Sequence, residues 1–283
     1  MRVLVLGASG MLGNAVLKVM AEREDWTIYG TLRSSNEILQ AAVPTVKFLH
    51  GVNAEQPDSL VAAFTNSRPT IVINCIGLVK QLAGAENPLD AIPINSLLPH
   101  RLAKLCELSD ARFIHVSTDC VFSGRKGRYS ETDLPDAEDI YGRTKLIGEV
   151  NYHHAITLRT SIIGHELGTT HGLVDWFLSQ QENVKGFTSA IFSGLPTCEF
   201  SRVIRDFVMP NPQIHGIYHV AAKPISKYDL LQLINFQYRK GLLIESDDRI
   251  KINRSLDGTR FRFATGYTAP EWPKLIEKMY ESQ

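Results

Sequence analysis

A tyrosine and a lysine stand four residues apart in the segment IYGRTKLIG, residues 140–148. Four residues is slightly more than one helical turn, so Tyr141 and Lys145 would project from the same face of a helix. A phenol held beside an ammonium group could exchange a proton with a ligand. The same spacing also arises in ordinary helices as surface packing, so the rest of the sequence has to distinguish the two interpretations.

A second group of candidate residues is the glycine-rich segment GASGMLG, residues 7–13. Gly7 would permit a tight turn, Gly10 would let the backbone approach a pyrophosphate, and Gly13 would allow a helix to pack closely on a strand. The helix that follows presents free N–H groups and the positive end of its dipole to phosphates. The segment therefore predicts a dinucleotide site formed by Gly7, Ser9, Gly10, Met11, Leu12 and Gly13.

The residues after the second predicted strand bear on which dinucleotide binds. An NAD site usually has an acidic residue about 20 positions after the glycines, where it binds the ribose 2′-hydroxyl. This chain has Arg33 there, followed by Ser34 and Ser35. A guanidinium and two hydroxyls suit a 2′-phosphate, which predicts NADP(H), whereas Glu37 leaves NAD(H) open.

Strands and helices alternate through the first 160 residues. Short apolar runs predict strands, and apolar residues at helical spacing predict the helices between them. This alternation implies right-handed crossovers and an α/β fold with a Rossmann-type, doubly wound parallel sheet. The predicted strands are 2–7, 26–32, 45–50, 70–77, 112–118, 155–163 and 215–222, and the predicted helices are 11–23, 57–66, 95–108, 139–150 and 226–241. Pro99 would either kink the helix at 95–108 or mark its start.

The pattern becomes less regular after residue 160, which predicts a smaller C-terminal substrate-binding domain. We expect a dinucleotide-binding domain over residues 1–160, rejoined by residues 195–222. Residues 161–194 and 223–283 would form the substrate-binding part.

Composition excludes several classes of function. Thirty basic residues balance thirty acidic ones without a basic stripe, so no nucleic-acid partner is expected. No apolar run reaches the ~18 residues that a membrane helix needs, and no signal peptide is evident, so we expect a cytoplasmic protein that does not contact a membrane. The histidines lack metal-ligand spacing. The scattered cysteines argue against a zinc site and a disulfide framework: Cys75, Cys106, Cys120 and Cys198.

Four motifs in order resemble the extended short-chain dehydrogenase/reductase family: the glycine turn, INCIG, VSTDCVFSG and YGRTK. Within the family, STDCVFSG followed by YGRTKLIGE is most similar to the 4-dehydrorhamnose reductase branch, which reduces nucleotide-linked 4-keto-6-deoxy sugars. The resemblance is strongest over residues 1–163. It implies an NADPH-dependent reductase of a nucleotide-diphosphate sugar, in deoxysugar and polysaccharide biosynthesis. It also implies a homodimer formed through helices around 87–107 and 139–150.

The resemblance assigns roles to individual residues. Tyr141 would be the general acid/base, Lys145 would lower the pKa of that tyrosine and bind the nicotinamide ribose, and Thr118 would hydrogen-bond the substrate oxygen. Further cofactor contacts would come from Asn53, Cys75, Ile76 and Gly77. Asn53 stands where the family often has an aspartate near the adenine, which leaves that contact open.

Substrate contacts are implied less specifically. The resemblance places Asp119 and Phe122 at the sugar pocket, although Asp119 could instead cap a turn. Asn95 would help to order the site or would be an exposed residue. Arginines suit phosphate oxygens, but each could equally form a surface salt bridge: Arg159, Arg202 and Arg260.

Other functions remain open on the same fold. A relative could epimerise or dehydrate a nucleotide sugar, or could be a regulatory subunit, as in the β subunit of methionine adenosyltransferase. Dehydratases place an Asp-Glu pair directly after the threonine, whereas this chain has Asp119 and Cys120. The set of Thr118, Tyr141 and Lys145 favours an enzyme, and no acidic cluster requires a metal ion.

Overall fold

Seven parallel strands form the central sheet of the molecule. The computed structural model describes residues 1–80 and 83–283. The strands of the chain are β1 (Arg2–Leu6), β2 (Thr27–Thr31), β3 (Lys47–Leu49), β4 (Ile71–Asn74), β5 (Arg112–Thr118), β6 (Ala155–Thr160), β7 (Ile162–Ile163), β8 (Val184–Phe187), β9 (Ala190–Phe192), β10 (Leu195–Pro196), β11 (Gly216–His219), β12 (Ile225–Ser226), β13 (Ile244–Asp247) and β14 (Ile252–Asn253). The central sheet has the order β11-β6-β5-β4-β1-β2-β3 with every pair parallel, which confirms the predicted Rossmann-type α/β fold.

Helices connect these strands. They are α1 (Met11–Ala21), α2 (Glu37–Ala42), α3 (Pro57–Ser67), α4 (Pro88–Ala91), α5 (Leu98–Leu108), α6 (Ile140–Ile147), α7 (Leu173–Ser179), α8 (Thr197–Val203), α9 (Lys227–Gln237), α10 (Thr259–Thr265) and α11 (Trp272–Glu281). Short 3₁₀ turns lie at Ala83–Glu86 and Asp119–Val121, and π-helical turns at Ile92–Leu97 and Ile204–Val208.

The central sheet is covered by helices on both faces. Because successive side chains of a strand point to opposite faces, Val3 and Val5 of β1 join a different apolar cluster from Leu4 and Leu6. The first cluster also contains buried residues of α1 and α8, and the second those of α3 and α5. Burial on both faces explains why these strands are continuous apolar runs in the sequence.

One predicted helix is longer than the sequence indicated. The prediction was 95–108, but the helical segment spans residues 88–108 and contains the π-helical turn Ile92–Leu97. Pro99 does not start the helical segment, since it is the second residue of α5, which follows this turn. Proline has no N–H to donate to the carbonyl oxygen of Asn95 four residues earlier, and the wider turn accommodates that missing bond.

The C-terminal part contains small sheets and helices. β12, β9 and β14 form one sheet, and β13 pairs with β8. β11 returns to the central sheet beside β6, inside the segment expected to rejoin the first domain. The domain boundaries themselves stay a prediction. No helix in the described ranges is both long enough and apolar enough to span a bilayer.

Candidate active site

The candidate catalytic residues meet at the carboxyl edge of the sheet. Thr118 is the last residue of β5, and Tyr141 lies in the first turn of α6. Asp139 caps this helix, because its Oδ1 accepts the N–H of Gly142 at 2.7 Å while its Oδ2 accepts from Lys80 at 2.7 Å. A Cβ on Gly142 would lie 2.3 Å from the carbonyl oxygen of Cys120. Glycine at this position therefore lets α6 approach the turn after Thr118.

Lys145 is buried beneath this edge, with 5% of its surface exposed. Its Nζ donates a hydrogen bond of 2.8 Å to the carbonyl oxygen of Val116 on β5. Burial lowers its pKa to about 8, and the negative charge of Glu149 acts against that shift. The same ammonium group lies near Gly77, at 3.9 Å from the position that a Cβ there would take. The loop after β4 and the helix α6 therefore meet at Lys145.

The pKa of Tyr141 differs from the expectation. We expected Lys145 to lower it, but burial raises the pKa of Tyr141 above its usual value, and Cys120 and Asp119 add to that rise. The hydroxyl of Thr118 acts in the opposite direction. The phenol is therefore protonated throughout the physiological pH range, which is the form that donates a proton.

Asp119 and Cys120 begin the 3₁₀ turn after β5. Asp119 is 8% exposed, and burial raises the pKa of its carboxyl group. It accepts a hydrogen bond of 3.2 Å from the hydroxyl of Thr118, which itself accepts the N–H of Cys120 at 3.1 Å. Burial raises the pKa of the Cys120 thiol to about 12, so this thiol stays protonated near neutral pH.

Asn95 links the helix containing the π turn to this site. It is 1% exposed, so it is not the surface residue that one interpretation allowed. Its Oδ1 accepts the N–H of Leu78 at 2.9 Å, and its Nδ2 donates to the carbonyl of Leu78 at 3.1 Å and to Thr144 Oγ1 at 3.4 Å. Its amide thereby ties the loop after β4 to α6, and a direct contact with a substrate stays a prediction.

The glycine-rich turn has the geometry of a phosphate cradle. Gly7 has φ +80°, which glycine adopts without strain. A Cβ on Gly13 would lie 2.0 Å from the carbonyl oxygen of Gly7, so only glycine permits this packing of α1. A Cβ on Gly10 would meet nothing nearer than that same oxygen at 3.5 Å, and α1 begins there without a side-chain cap. These features fit the phosphates of a dinucleotide at the N-terminus of the helix.

The remaining predicted cofactor residues lie along the same edge. Arg33 follows β2 and is exposed, and it forms no ion pair within residues 1–80 and 83–283. Asn53 uses its Oδ1 to accept the N–H of Glu55 at 3.0 Å, and no described residue bonds to its amide nitrogen, which could reach a ligand. The segment Cys75, Ile76 and Gly77 follows β4, and Ile76 packs against Gly7.

Phe122 and Arg159 are part of the interior. The resemblance placed Phe122 at the sugar pocket, but its ring is completely buried and stacks on Tyr129 with 4.1 Å between ring centroids. Arg159 is 3% exposed, and its guanidinium lies 5.2 Å from the centre of the Phe122 ring. It forms a buried salt bridge with Glu149, so it is not free to bind a diphosphate as one interpretation had it.

The other two candidate arginines lie in the C-terminal part. Arg202 is half-buried in α8, and the described residues offer it neither an ion pair nor a side-chain hydrogen bond. Arg260 is exposed and its guanidinium lies 4.6 Å from the centre of the Tyr218 ring. A phosphate contact by either residue stays a prediction.

Arg254 is a site residue that the sequence analysis missed. Its Nε donates to the carbonyl oxygen of Phe122 at 2.8 Å, and its positive charge acts on the carboxyl groups of Asp119 and Asp139. Within the described part of the chain its terminal nitrogens make no hydrogen bond, so they are available to a ligand. It directly follows the short strand β14, more than 100 residues from Tyr141, and this position gave no signal in the sequence.

Two further expectations concern ions and partners. Among the residues that the structure describes, no three His, Cys, Asp or Glu side chains converge as metal ligands would. Exposed apolar side chains do lie on the helices expected to form the dimer: Leu89, Ile92, Leu97, Leu108 and Ile147. The homodimer stays a prediction.

Comparison with known families identifies this arrangement. The sequence profile described as the RmlD substrate binding domain matches residues 1–242. The chain belongs to the RmlD substrate binding domain family. The resemblance stated from the motifs is thereby confirmed, and it extends beyond the first 163 residues.

Curated relatives of this RmlD-family chain include reductases and subunits of methionine adenosyltransferase. It is 29% identical over 231 residues to a probable low-salt glycan biosynthesis reductase of Haloferax volcanii, which covers 77% of this chain and 74% of that protein. It is 22% identical to a dTDP-4-dehydrorhamnose reductase of Aggregatibacter actinomycetemcomitans, over 98% of both chains. It is also 26% identical to methionine adenosyltransferase 2 subunit beta of Mus musculus, over 99% of this chain and 90% of that protein.

Solved structures share the fold. A dTDP-4-dehydrorhamnose reductase of Bacillus anthracis in complex with NADP superposes with a TM-score of 0.79 at 18% identity, over 100% of this chain and 99% of that one. A dTDP-glucose 4,6-dehydratase of the same species in complex with NAD gives 0.81 at 14% identity, over 100% and 96%. The fold of the RmlD-family chain is therefore common to enzymes of different reaction types. The reaction has to be inferred from the residues of the site.

Proposed function

We propose that this protein is an NADPH-dependent reductase of a nucleotide-linked 4-keto-6-deoxy sugar. The observation that carries the proposal is that Thr118, Tyr141 and Lys145 meet beside the loop after β4, at the same sheet edge as the glycine cradle. Relatives of this chain include a probable low-salt glycan biosynthesis reductase and a dTDP-4-dehydrorhamnose reductase. The free nitrogens of Arg254 beside Asp119 favour an anionic substrate such as a nucleotide diphosphate.

Each site residue would have a separate role in the reduction. Bound NADPH would supply the hydride. Tyr141 would donate its proton to the carbonyl oxygen of the sugar, because burial keeps the phenol protonated. The hydroxyl of Thr118 would turn from Asp119 to the same oxygen. Lys145 would hold the nicotinamide ribose and, as a buried cation, would stabilise negative charge that develops on Tyr141.

Cys120 supports reduction over dehydration. A dehydratase needs an acid and a base beside the threonine to remove a proton and expel a hydroxyl. In this chain a thiol with a pKa of about 12 takes the position of the second carboxylate, and a protonated thiol is a poor base. Although a dehydratase shares the fold of this chain, the residue at this position does not support dehydration.

A regulatory role is the second candidate, and it rests on the relatives that are methionine adenosyltransferase subunits. Both candidates would bind NADPH, so turnover separates them. We expect the purified protein to consume NADPH in a 1:1 ratio with a 4-keto-6-deoxy sugar nucleotide, measured at 340 nm with product analysis by mass spectrometry. Binding without consumption would favour the regulatory role. Formation of a 4-keto-6-deoxy product from a hexose nucleotide without added cofactor would overturn the proposal.

Arg33 should set the preference for NADPH. Replacing Arg33 with alanine removes a charge-assisted contact to a 2′-phosphate that NADH lacks, and such a bond contributes about 1.5–3 kcal/mol. We expect the Kd for NADPH to rise roughly 10- to 150-fold and the Kd for NADH to change little. Both are measured by fluorescence titration.

Lys47→Ala is the matched control for this variant. It also removes one exposed cation, but at the first residue of β3, opposite Tyr29 in the middle of β2 rather than beyond the end of that strand. It should leave both affinities unchanged. An equal loss for the two cofactors in Arg33→Ala would place Arg33 away from the 2′ position.

A further inference from the structure

A buried ion pair lies beneath the candidate active site. Glu149 follows the end of α6, and Arg159 lies on β6; each side chain is 3% exposed. The guanidinium holds the carboxylate with two hydrogen bonds, from Nε at 2.7 Å and from Nη2 at 2.6 Å. The hydroxyl of Ser117 on β5 donates a third, at 2.7 Å. Three elements of the fold therefore converge on one carboxylate.

The remaining terminal nitrogen of Arg159, Nη1, also has a hydrogen-bond partner. Its Nη1 donates to Nε2 of His219 at 3.2 Å, and Nδ1 of that ring donates to the carbonyl oxygen of Tyr129 at 2.9 Å. Burial and the charge of Arg159 lower the pKa of His219 to about 3, so the ring is neutral and accepts the arginine proton. The guanidinium therefore has one charged partner within this network, which is Glu149.

The same carboxylate lies next to the contacts that hold Lys145. Lys145 donates to the carbonyl oxygen of Val116, and Glu149 accepts from Ser117, the next residue of β5. Gly148 lies between Lys145 and Glu149 in the sequence and packs on the helix that contains the π turn. A Cβ on Gly148 would lie 1.9 Å from the carbonyl oxygen of Asn95. Movement of Glu149 would therefore move the end of α6 relative to β5.

We propose that Glu149 is a positioning residue of the active site, which anchors the end of α6 to β5 and β6 and so fixes the place and the charge of Lys145. The inference about the reaction rests on the proposed function, whereas the anchoring can be measured without any substrate. Glu149 touches neither a ligand nor the reacting atoms in this arrangement and acts through Lys145.

The charges around Lys145 determine the sign of the expected effect. Tyr141, on the same helix, is protonated, and His115 of β5 is uncharged because burial and Lys145 hold its pKa well below the usual value. Glu149 and Arg159 are then the charged groups of the network. Replacing Glu149 with glutamine removes the attraction and leaves the positive charge of Arg159, so Lys145 loses its proton at lower pH.

The experiment follows the ionisation of Lys145 directly. The protein is labelled with ¹³C at lysine Cε, the Lys145 signal is assigned by its loss in Lys145→Met, and its shift is followed from pH 6 to 10. Glu149→Gln should lower the midpoint by about one pH unit. Glu199→Gln is the matched control, since Glu199 is also a buried carboxylate, 6% exposed and paired with Lys278. It should reduce stability without moving the midpoint.

A second variant covers the case in which Glu149→Gln does not fold. Glu149→Asp keeps the charge but shortens its reach, so we expect the midpoint to stay within a few tenths of a unit while the Kd for NADPH rises about tenfold. An unchanged midpoint in Glu149→Gln, an equal shift in Glu199→Gln, or an unchanged Kd in Glu149→Asp would each overturn the proposal. A shifted midpoint in a protein that reduces no sugar nucleotide would instead refute the proposed function and leave the positioning role intact.

Discussion

Replacing Tyr141 with phenylalanine should lower kcat by about 10²- to 10⁴-fold, the usual contribution of a general acid. The substitution removes only the hydroxyl, and burial keeps that hydroxyl protonated and ready to donate. The ring remains, so α6 should keep its packing. We therefore expect circular dichroism, Tm and the Kd for NADPH to stay close to the wild type while NADPH oxidation with the 4-keto sugar nucleotide almost stops.

Tyr152→Phe is the control for removal of a tyrosine hydroxyl. The hydroxyl of Tyr152 bonds to Nδ1 of His100 at 3.1 Å, on the face of the sheet covered by α5. This variant should retain wild-type turnover. Near-normal rates in Tyr141→Phe would mean that another group supplies the proton, and Asp119 would be the first to test, because burial raises the pKa of its carboxyl group.

Replacing Lys145 with methionine should impair cofactor binding and turnover together. The ammonium group is expected to bind the nicotinamide ribose, and loss of a hydrogen bond to a charged group costs about 1.5–3 kcal/mol, or roughly 10- to 150-fold in the Kd for NADPH. Methionine has a similar length and does not bury a charge. The Tm should therefore not fall, although turnover does.

The same lysine predicts a pH dependence. Because burial lowers its pKa to about 8, Lys145 is charged below that pH and loses its proton as the pH rises through it. NADPH affinity in the wild type should decrease over this range, measured by fluorescence titration, and the step should be absent in Lys145→Met. Lys104→Met, which removes an exposed lysine paired with Glu107, should leave the step in place. A step that persists without Lys145 would belong to another group.

The parts of the site that are local in sequence could be predicted from it. Gly7, Gly10 and Gly13 act through backbone geometry within one turn, so their spacing was enough to place the cradle. Tyr141 and Lys145 share one helix, and their relation follows from helical periodicity. The central sheet followed from the alternation of apolar runs, since parallel strands are covered on both faces.

The parts of the site that depend on contacts between distant residues could not be predicted from the sequence. Phe122 and Arg159 have the residue types of a binding pocket, and only their packing against Tyr129 and Glu149 shows that they are interior. Arg254 reaches the site from the residue after β14, far along the chain. The direction of the Tyr141 pKa was also inaccessible, because it depends on how deeply the phenol is buried rather than on the lysine beside it in sequence.

The π-helical turn before Pro99 has a consequence for how this chain is aligned with its relatives. A π turn holds one more residue than an α turn. The residues before it are therefore rotated about the helix axis by about 100°, compared with their positions if α5 extended backwards as a regular α-helix. Asn95 lies within this turn, and its amide bonds to Leu78 and Thr144 from there. An alignment that runs without a gap through residues 92–97 would compare Asn95 with the wrong position of any relative whose helix is regular there. Single-residue insertions in this segment therefore carry information about the active site and should not be discarded as noise.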